Sequence, residues 1–169
     1  MKARQAILFA IFLIAFSNLH SQTRRDRKKA DKNTLNWKYE IKCEKTGRQG
    51  TYFVKVTSYV RKVELTLEQS KKNAVHGVLF TGLSEGKCRE NPLIKDPGLY
   101  EKEISCFKDF FSKYGDYSKY CTASSGMAEN ILKINKKEFS VDMKISVNKK
   151  QLKLDFEKLG LIKSLDSGF

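Results

Sequence analysis

At 169 residues, with 33 lysines and arginines against 19 aspartates and glutamates, the chain carries a net charge of +14 and has room for one domain around one core. Only two prolines, no internal repeat and no low-complexity linker are present that would suggest a second domain. The apolar run Ala6 to Phe16 is too short to cross a bilayer, which takes about 20 residues, and no second such run follows.

The N-terminus reads as a signal peptide over 1–21: Lys2 and Arg4 give a positive start, the apolar run follows, and Ser21 stands before a cut at Gln22. A lipid anchor would need a cysteine just after the cut, where Gln22 and Thr23 stand. The next segment, 22–35, is a basic arm. Its stretch RRDRKKADK holds Arg24, Arg25, Arg27, Lys28, Lys29 and Lys32 and has no large apolar side chain. Such a run is either a solvated, disordered leader or a means of attraction to lipid headgroups, acidic glycan or nucleic acid, which salt would weaken. The folded domain is expected over 36–163, with 164–169 as a tail.

Within the domain, Trp37, Tyr39, Ile41 and Cys43 alternate with charged residues, the pattern of a strand with one dry face. After the turn TGRQG, the stretch TYFVKVTSYV (51–60) reads as its hairpin partner. A helix is expected over 63–81, with Thr66 and Gln69 as a capping box and Gly82 as the stop. On its wheel, Leu67, Ala74, Val75, Val78 and Leu79 share a face that Lys71 intrudes on, and His76 points to the flank or solvent. Residues 83–98 read as a loop. The spacing of Tyr100, Ile104, Phe107, Phe110, Phe111 and Tyr114 predicts a second amphipathic helix over 99–113, with Cys106 at the edge of its stripe. A short strand over 117–124 contains Cys121, and SSGMAEN follows as a turn or loop. Phe139 to Val147 alternates most clearly of all, and Asn148 caps a last helix in which Leu152, Phe156 and Leu159 share a face before Gly160. The order is β-β-α-α-β-β-α: an α+β domain, an antiparallel sheet of about four strands with helices packed on one face.

Four cysteines, Cys43, Cys88, Cys106 and Cys121, in an exported chain favour disulfides. Of the three possible connectivities, Cys43–Cys88 with Cys106–Cys121 is preferred. The second bond would close a loop of about 15 residues and stabilise by roughly 3 kcal/mol.

Chemistry is hard to assemble from these residues. His20 leaves with the signal peptide, so any histidine-dependent constellation must use His76, which sits on a helix away from any motif that presents a nucleophile. The cysteines lack the closely spaced pairs that zinc needs. GLSEGKC (82–88) misses the spacing, the following Ser or Thr and the preceding strand of a phosphate-binding loop. Glu101, Glu103, Asp109 and Asp116 fall on wet surfaces, where nothing raises a carboxyl pKa for glycosidase work. Lys38, Lys42, Lys55, Arg61 and Lys62 near Phe53 and Tyr59 resemble a nucleic-acid face, but strand alternation alone produces that pattern.

The stretch LTLEQSKKNAVHGVLFTG after TYFVKVTSYV, together with KEFSVDMKISVNKKQL, resembles a bacterial envelope family that contains the amino-terminal domain of the flagellar assembly protein T and small outer-membrane lipoproteins. The resemblance covers about residues 50–160 in outline. It implies an α+β module whose helix lies close on its sheet through Ser70, Ala74 and Gly77, with no catalytic residues. The expectation is an exported, non-enzymatic protein, periplasmic, outer-membrane-associated or extracellular, that binds another envelope protein as a scaffold or assembly component and needs no cofactor, metal or small-molecule substrate. The alternative is a secreted basic module that binds an anionic polymer or membrane surface.

Overall fold

The computed structural model describes residues 37–113 and 115–163; the expected signal peptide, the basic arm with Arg24, Arg25, Arg27, Lys28, Lys29 and Lys32, and the tail lie outside the described residues. β1 (Tyr39–Thr46) and β2 (Thr51–Val60) form the expected antiparallel hairpin, with Ile41 opposite Val56. β2 pairs along its whole length with β5 (Glu138–Asn148), which sets Val54 against Ile145 and Val56 against Met143. The other edge of β5 is shared by β3 (Cys121–Ala123), opposite 145–147, and β4 (Asn130–Asn135), opposite 138–142. The result is a five-stranded antiparallel sheet in an α+β domain. β4 is one strand more than the alternation predicted, because all six of its residues are exposed and it has no dry face to betray it.

The inward positions of β2 and β5 are Val54, Val56 and Val60 and Val141, Met143, Ile145 and Val147, all buried. Removing each such side chain from water contributes about 1.5–3 kcal/mol. Their outward neighbours form an ion-pair lattice. Lys55 Nζ lies 2.9 Å from Asp142 Oδ2, Thr57 donates to the same carboxylate at 2.7 Å, and Lys144 bridges Glu129 at 2.6 Å and Glu44 at 3.5 Å.

Packed on the inward face is α1 (Thr66–His76), which continues through a π turn (Gly77–Thr81) and stops at Gly82, where φ is 75° and an added Cβ would lie 2.6 Å from the Glu90 carbonyl oxygen. The capping box does not form. Thr66 lies inside the helix with a buried, unpartnered hydroxyl, and the Gln69 amide donates to Asn73 Oδ1 at 2.9 Å. Ser70, Ala74 and Gly77 are buried on the sheet, and a Cβ on Gly77 would stand 2.8 Å from Ile41 Cδ1. Where the backbones come close, polar atoms meet each other: Ser58 and Ser70 hydroxyls at 2.9 Å, and Asn73 Nδ2 donating to Ser58 Oγ at 2.9 Å. A buried polar group costs little when partnered in this way.

The far side of α1 is covered as well. Leu93 and Ile94 donate backbone hydrogen bonds to Val78 and Leu79, at 3.2 and 2.9 Å. α2 (Leu99–Lys102) and α3 (Ile104–Phe110) follow, where one helix over 99–113 was expected; Glu103, at φ −108° and ψ 31°, breaks the run. Phe107 and Phe111 are buried while Ile104 is left exposed. A 3-10 turn (Asp116–Tyr120) takes the first part of the strand expected over 117–124. α4 (Lys149–Lys158) is capped as expected, Asn148 Oδ1 accepting from Gln151 N at 3.0 Å, and buries Leu152 and Phe156; Leu159 lies outside its buried face and is exposed.

Cys43 and Cys88 are bonded. The bond fixes the loop 85–88 against the outer edge of β1, where Cys43 N donates to Glu85 O at 2.8 Å and Lys87 N to Cys43 O at 2.7 Å. The second preferred pair does not form: Cys106 is an exposed free thiol and Cys121 a buried one. The break at Glu103 and the shortness of α3 leave Cys106 on the solvent side, whereas Cys121 enters the sheet and its thiol donates to Tyr117 O at 3.5 Å. Burial pushes the Cys121 pKa up to about 12, against the opposing charge of Lys71, so it stays protonated.

Candidate anionic-surface site

Two places invite a functional reading. The first surrounds His76, which does not point to solvent as its wheel position suggested. Trp37 stacks on the imidazole with ring centroids 3.7 Å apart, and Phe80, Tyr100 and Phe111 surround it. The wheel treats α1 as having one wet side, but residues 93–111 cover that side with aromatic rings. Tyr39 bridges His76 Nδ1 at 2.8 Å and Thr81 Oγ1 at 3.1 Å. Burial pushes the imidazole pKa down to about 3 and that of Tyr39 up to about 12. Near neutrality the ring is uncharged, so Nδ1 can accept the Tyr39 proton.

A cleft of about 270 Å³ opens beside this ring, lined in part by His76, Phe80, Ile94 and Tyr100. Asp96 also lines it, but its carboxylate accepts from Gly98 N at 2.9 Å and Lys102 Nζ at 3.1 Å. No serine, threonine or cysteine is among the described residues that line it. Among the described residues, no group of three or more histidine, cysteine, aspartate or glutamate side chains is placed to hold a metal ion. Glu101, Glu103, Asp109 and Asp116 are all exposed. The loop GLSEGKC uses its backbone on β1 and its cysteine in the disulfide, which leaves it no cradle for phosphate.

The second place is the end of the sheet where β1 begins, β2 ends and β4 turns into β5. The register sets Tyr39 opposite Ser58, Val60 opposite Phe139 and Asn135 opposite Glu138, so Lys38, Arg61, Lys136 and Lys137 gather at one pole. There, Lys38, Tyr59, Arg61, Asn135, Lys137 and Glu138 line a notch of about 280 Å³. Glu138 is engaged by Lys38 at 3.0 Å and by the Asn135 amide at 3.4 Å, and Lys38 Nζ also sits 4.7 Å from the centre of the Tyr59 ring. The Tyr59 hydroxyl donates to Glu40 at 2.7 Å. Arg61, Lys133, Lys136 and Lys137 make no ion pair with the described residues. The contrast with the open face is electrostatic: Lys55 and Lys144 are neutralised in place, whereas the pole keeps uncompensated charge.

Of the nucleic-acid candidates, Lys38 and Arg61 thus line the notch, while Lys42 and Lys55 are tied to Glu85 and Asp142 on the wet face. Lys137 escaped notice in the sequence because NILKINKKEF gives no strand period; the dipeptide Lys136–Lys137 between two runs of strand-forming residues was its one signal. The six basic candidates of the arm lie outside the described residues. Comparison with protein-family models, curated proteins and solved structures finds no match to this chain.

Proposed function

We propose that the protein is an exported, non-enzymatic module that binds an anionic surface through the basic pole. The observation that carries this reading is the group Arg61, Lys133, Lys136 and Lys137, without an ion pair to the described residues beside a notch, in a protein that pairs Lys42, Lys55 and Lys144 of the sheet with carboxylates. Such charge raises the local concentration of an anionic partner and is screened by salt. The Cys43–Cys88 bond suits an oxidising compartment, in line with export to the periplasm or beyond. His76, neutral and held by Tyr39 and Trp37, supports a non-enzymatic reading, and no cofactor enters it.

The test is elution by salt from an immobilised polyanion. Arg61→Gln with Lys137→Gln should elute at clearly lower salt than Lys95→Gln with Lys108→Gln, which removes the same charge elsewhere. Equal elution would mean that net charge alone is responsible, and the site would be wrong. A second reading, a protein-binding scaffold of the cell envelope, draws on the exposed strand β4 and would gain if binding persisted at high salt without residues 24–32.

A further inference from the structure

β4 carries Ile131, Leu132 and Ile134 at 50%, 60% and 46% exposure, with Met127 at 78% just before it. Among the described residues, the other large exposed apolar side chains, Ile104, Leu154 and Leu159, are spread over α3, α4 and the end of α4. Single exposed apolar side chains need no explanation, but a contiguous group does. This group continues directly into Lys136 and Lys137 and is interleaved with Lys133, so the apolar strand and the basic pole form one edge of the molecule.

We infer that this edge docks on an anionic lipid bilayer, with Ile131, Leu132 and Ile134 entering the interfacial layer and Arg61, Lys133, Lys136 and Lys137 meeting headgroup phosphates. The inference rests on the anionic-surface reading above and names the surface. An apolar set flanked by lysines is the composition that lies in a membrane interface, where buried apolar area and attraction to anionic lipid add together. The register argues against a protein strand as the occupant. Ile131 stands opposite Val141 and Leu132 opposite Ser140, so the apolar side chains leave β4 on both faces, and the register shift between Lys133 and Asn135 interrupts the ladder that an added strand would need. Lys133 in mid-strand is a common device against edge pairing, and two copies meeting there would bring like charges together. A fluid layer requires neither a regular ladder nor one dry face. The nearby carboxylates are occupied: Glu138 with Lys38, Glu129 with Lys144, Asp142 with Lys55 and Glu40 with Tyr59. Glu64 is the exposed acidic residue in the turn after β2.

The experiment is co-sedimentation of the exported form with vesicles of phosphatidylcholine alone and with a third phosphatidylglycerol, beside binding to soluble polyphosphate. Wild type should bind the anionic vesicles and leave the neutral ones largely unbound. Arg61→Gln with Lys137→Gln should lower that partitioning roughly 25-fold, at about fivefold per basic side chain near a charged surface. The triple variant Ile131→Ser, Leu132→Ser, Ile134→Ser should lose at least about tenfold for vesicles while keeping its affinity for polyphosphate, its circular dichroism serving as the check that it is folded. Should the triple variant fail that check, Leu132→Ser alone is expected to show the same preference at a few-fold. Unchanged vesicle binding in the folded apolar variant overturns the inference. Binding of wild type to polyphosphate without binding to anionic vesicles overturns it too but leaves the anionic-surface reading standing. Binding to neither removes both.

Discussion

His76 and Gly77 are neighbours whose environments set opposite demands. At His76 the folded chain holds the imidazole neutral down to about pH 3, whereas an unfolded chain protonates it near 6.5. Between those values the unfolded state binds more protons, so the contribution of the neutral ring is complete above about pH 6.5 and is lost as pH falls toward 3. His76→Phe keeps an aromatic ring beside Trp37 but cannot titrate. Thermal melts should show the difference in stability between wild type and this variant shifting against wild type as pH falls from 7 to 4; parallel curves would mean that the ring is solvated. At Gly77 the demand is steric. An alanine Cβ would press on Ile41 Cδ1, so Gly77→Ala should cost about 1–2 kcal/mol by urea unfolding. The cost should shrink in an Ile41→Val background, which lacks that methyl group, because contacting positions are not additive. The close approach at Gly77 was expected only through the family resemblance, since the helical wheel picked out Leu67, Ala74, Val75, Val78 and Leu79. The seat of His76 was not legible in the sequence, since a helical wheel does not register a second cover formed by Trp37 and residues 93–111.

Among the elements, legibility follows wetness on one side. β1, β2 and β5 each bury one face and alternate visibly, while β4, exposed all round, left no periodic trace. The stripe from Tyr100 to Phe111 runs across the break at Glu103, so its spacing could not reveal that two short helices carry it. With the helix divided, Cys106 lost its geometric claim on Cys121. The bond that does form spans 45 residues and pins loop 85–88 to β1. Removing it as Cys43→Ser with Cys88→Ser should lower stability by about 4 kcal/mol on chain-entropy grounds, read from urea midpoints. Ser at Cys106 should change little. β4 offers the complementary case: Ile131→Thr should stay within about 0.5 kcal/mol of wild type, whereas Ile145→Ala, at 0% exposure, should cost about 2–5 kcal/mol. A large loss at Ile131 would show that β4 is retained for packing and not kept bare for a partner.

For the whole molecule, the distribution of charge matters more than its total. On the wet face of the sheet Lys42, Lys55 and Lys144 each pair with a carboxylate, whereas at the pole only Lys38 does so among the described residues and Arg61, Lys133, Lys136 and Lys137 do not. These pairs cancel charge across that face and leave the field of the pole to stand out. Amide chemical-shift mapping of residues 22–169 titrated with soluble polyphosphate tests this arrangement most directly. The perturbations should centre on Lys38, on Tyr59 to Lys62 and on 133–138, and fade as salt is raised. Shifts centred on His76, Tyr100 and the cleft beside them, or spread evenly over the lysines of the surface, would contradict it.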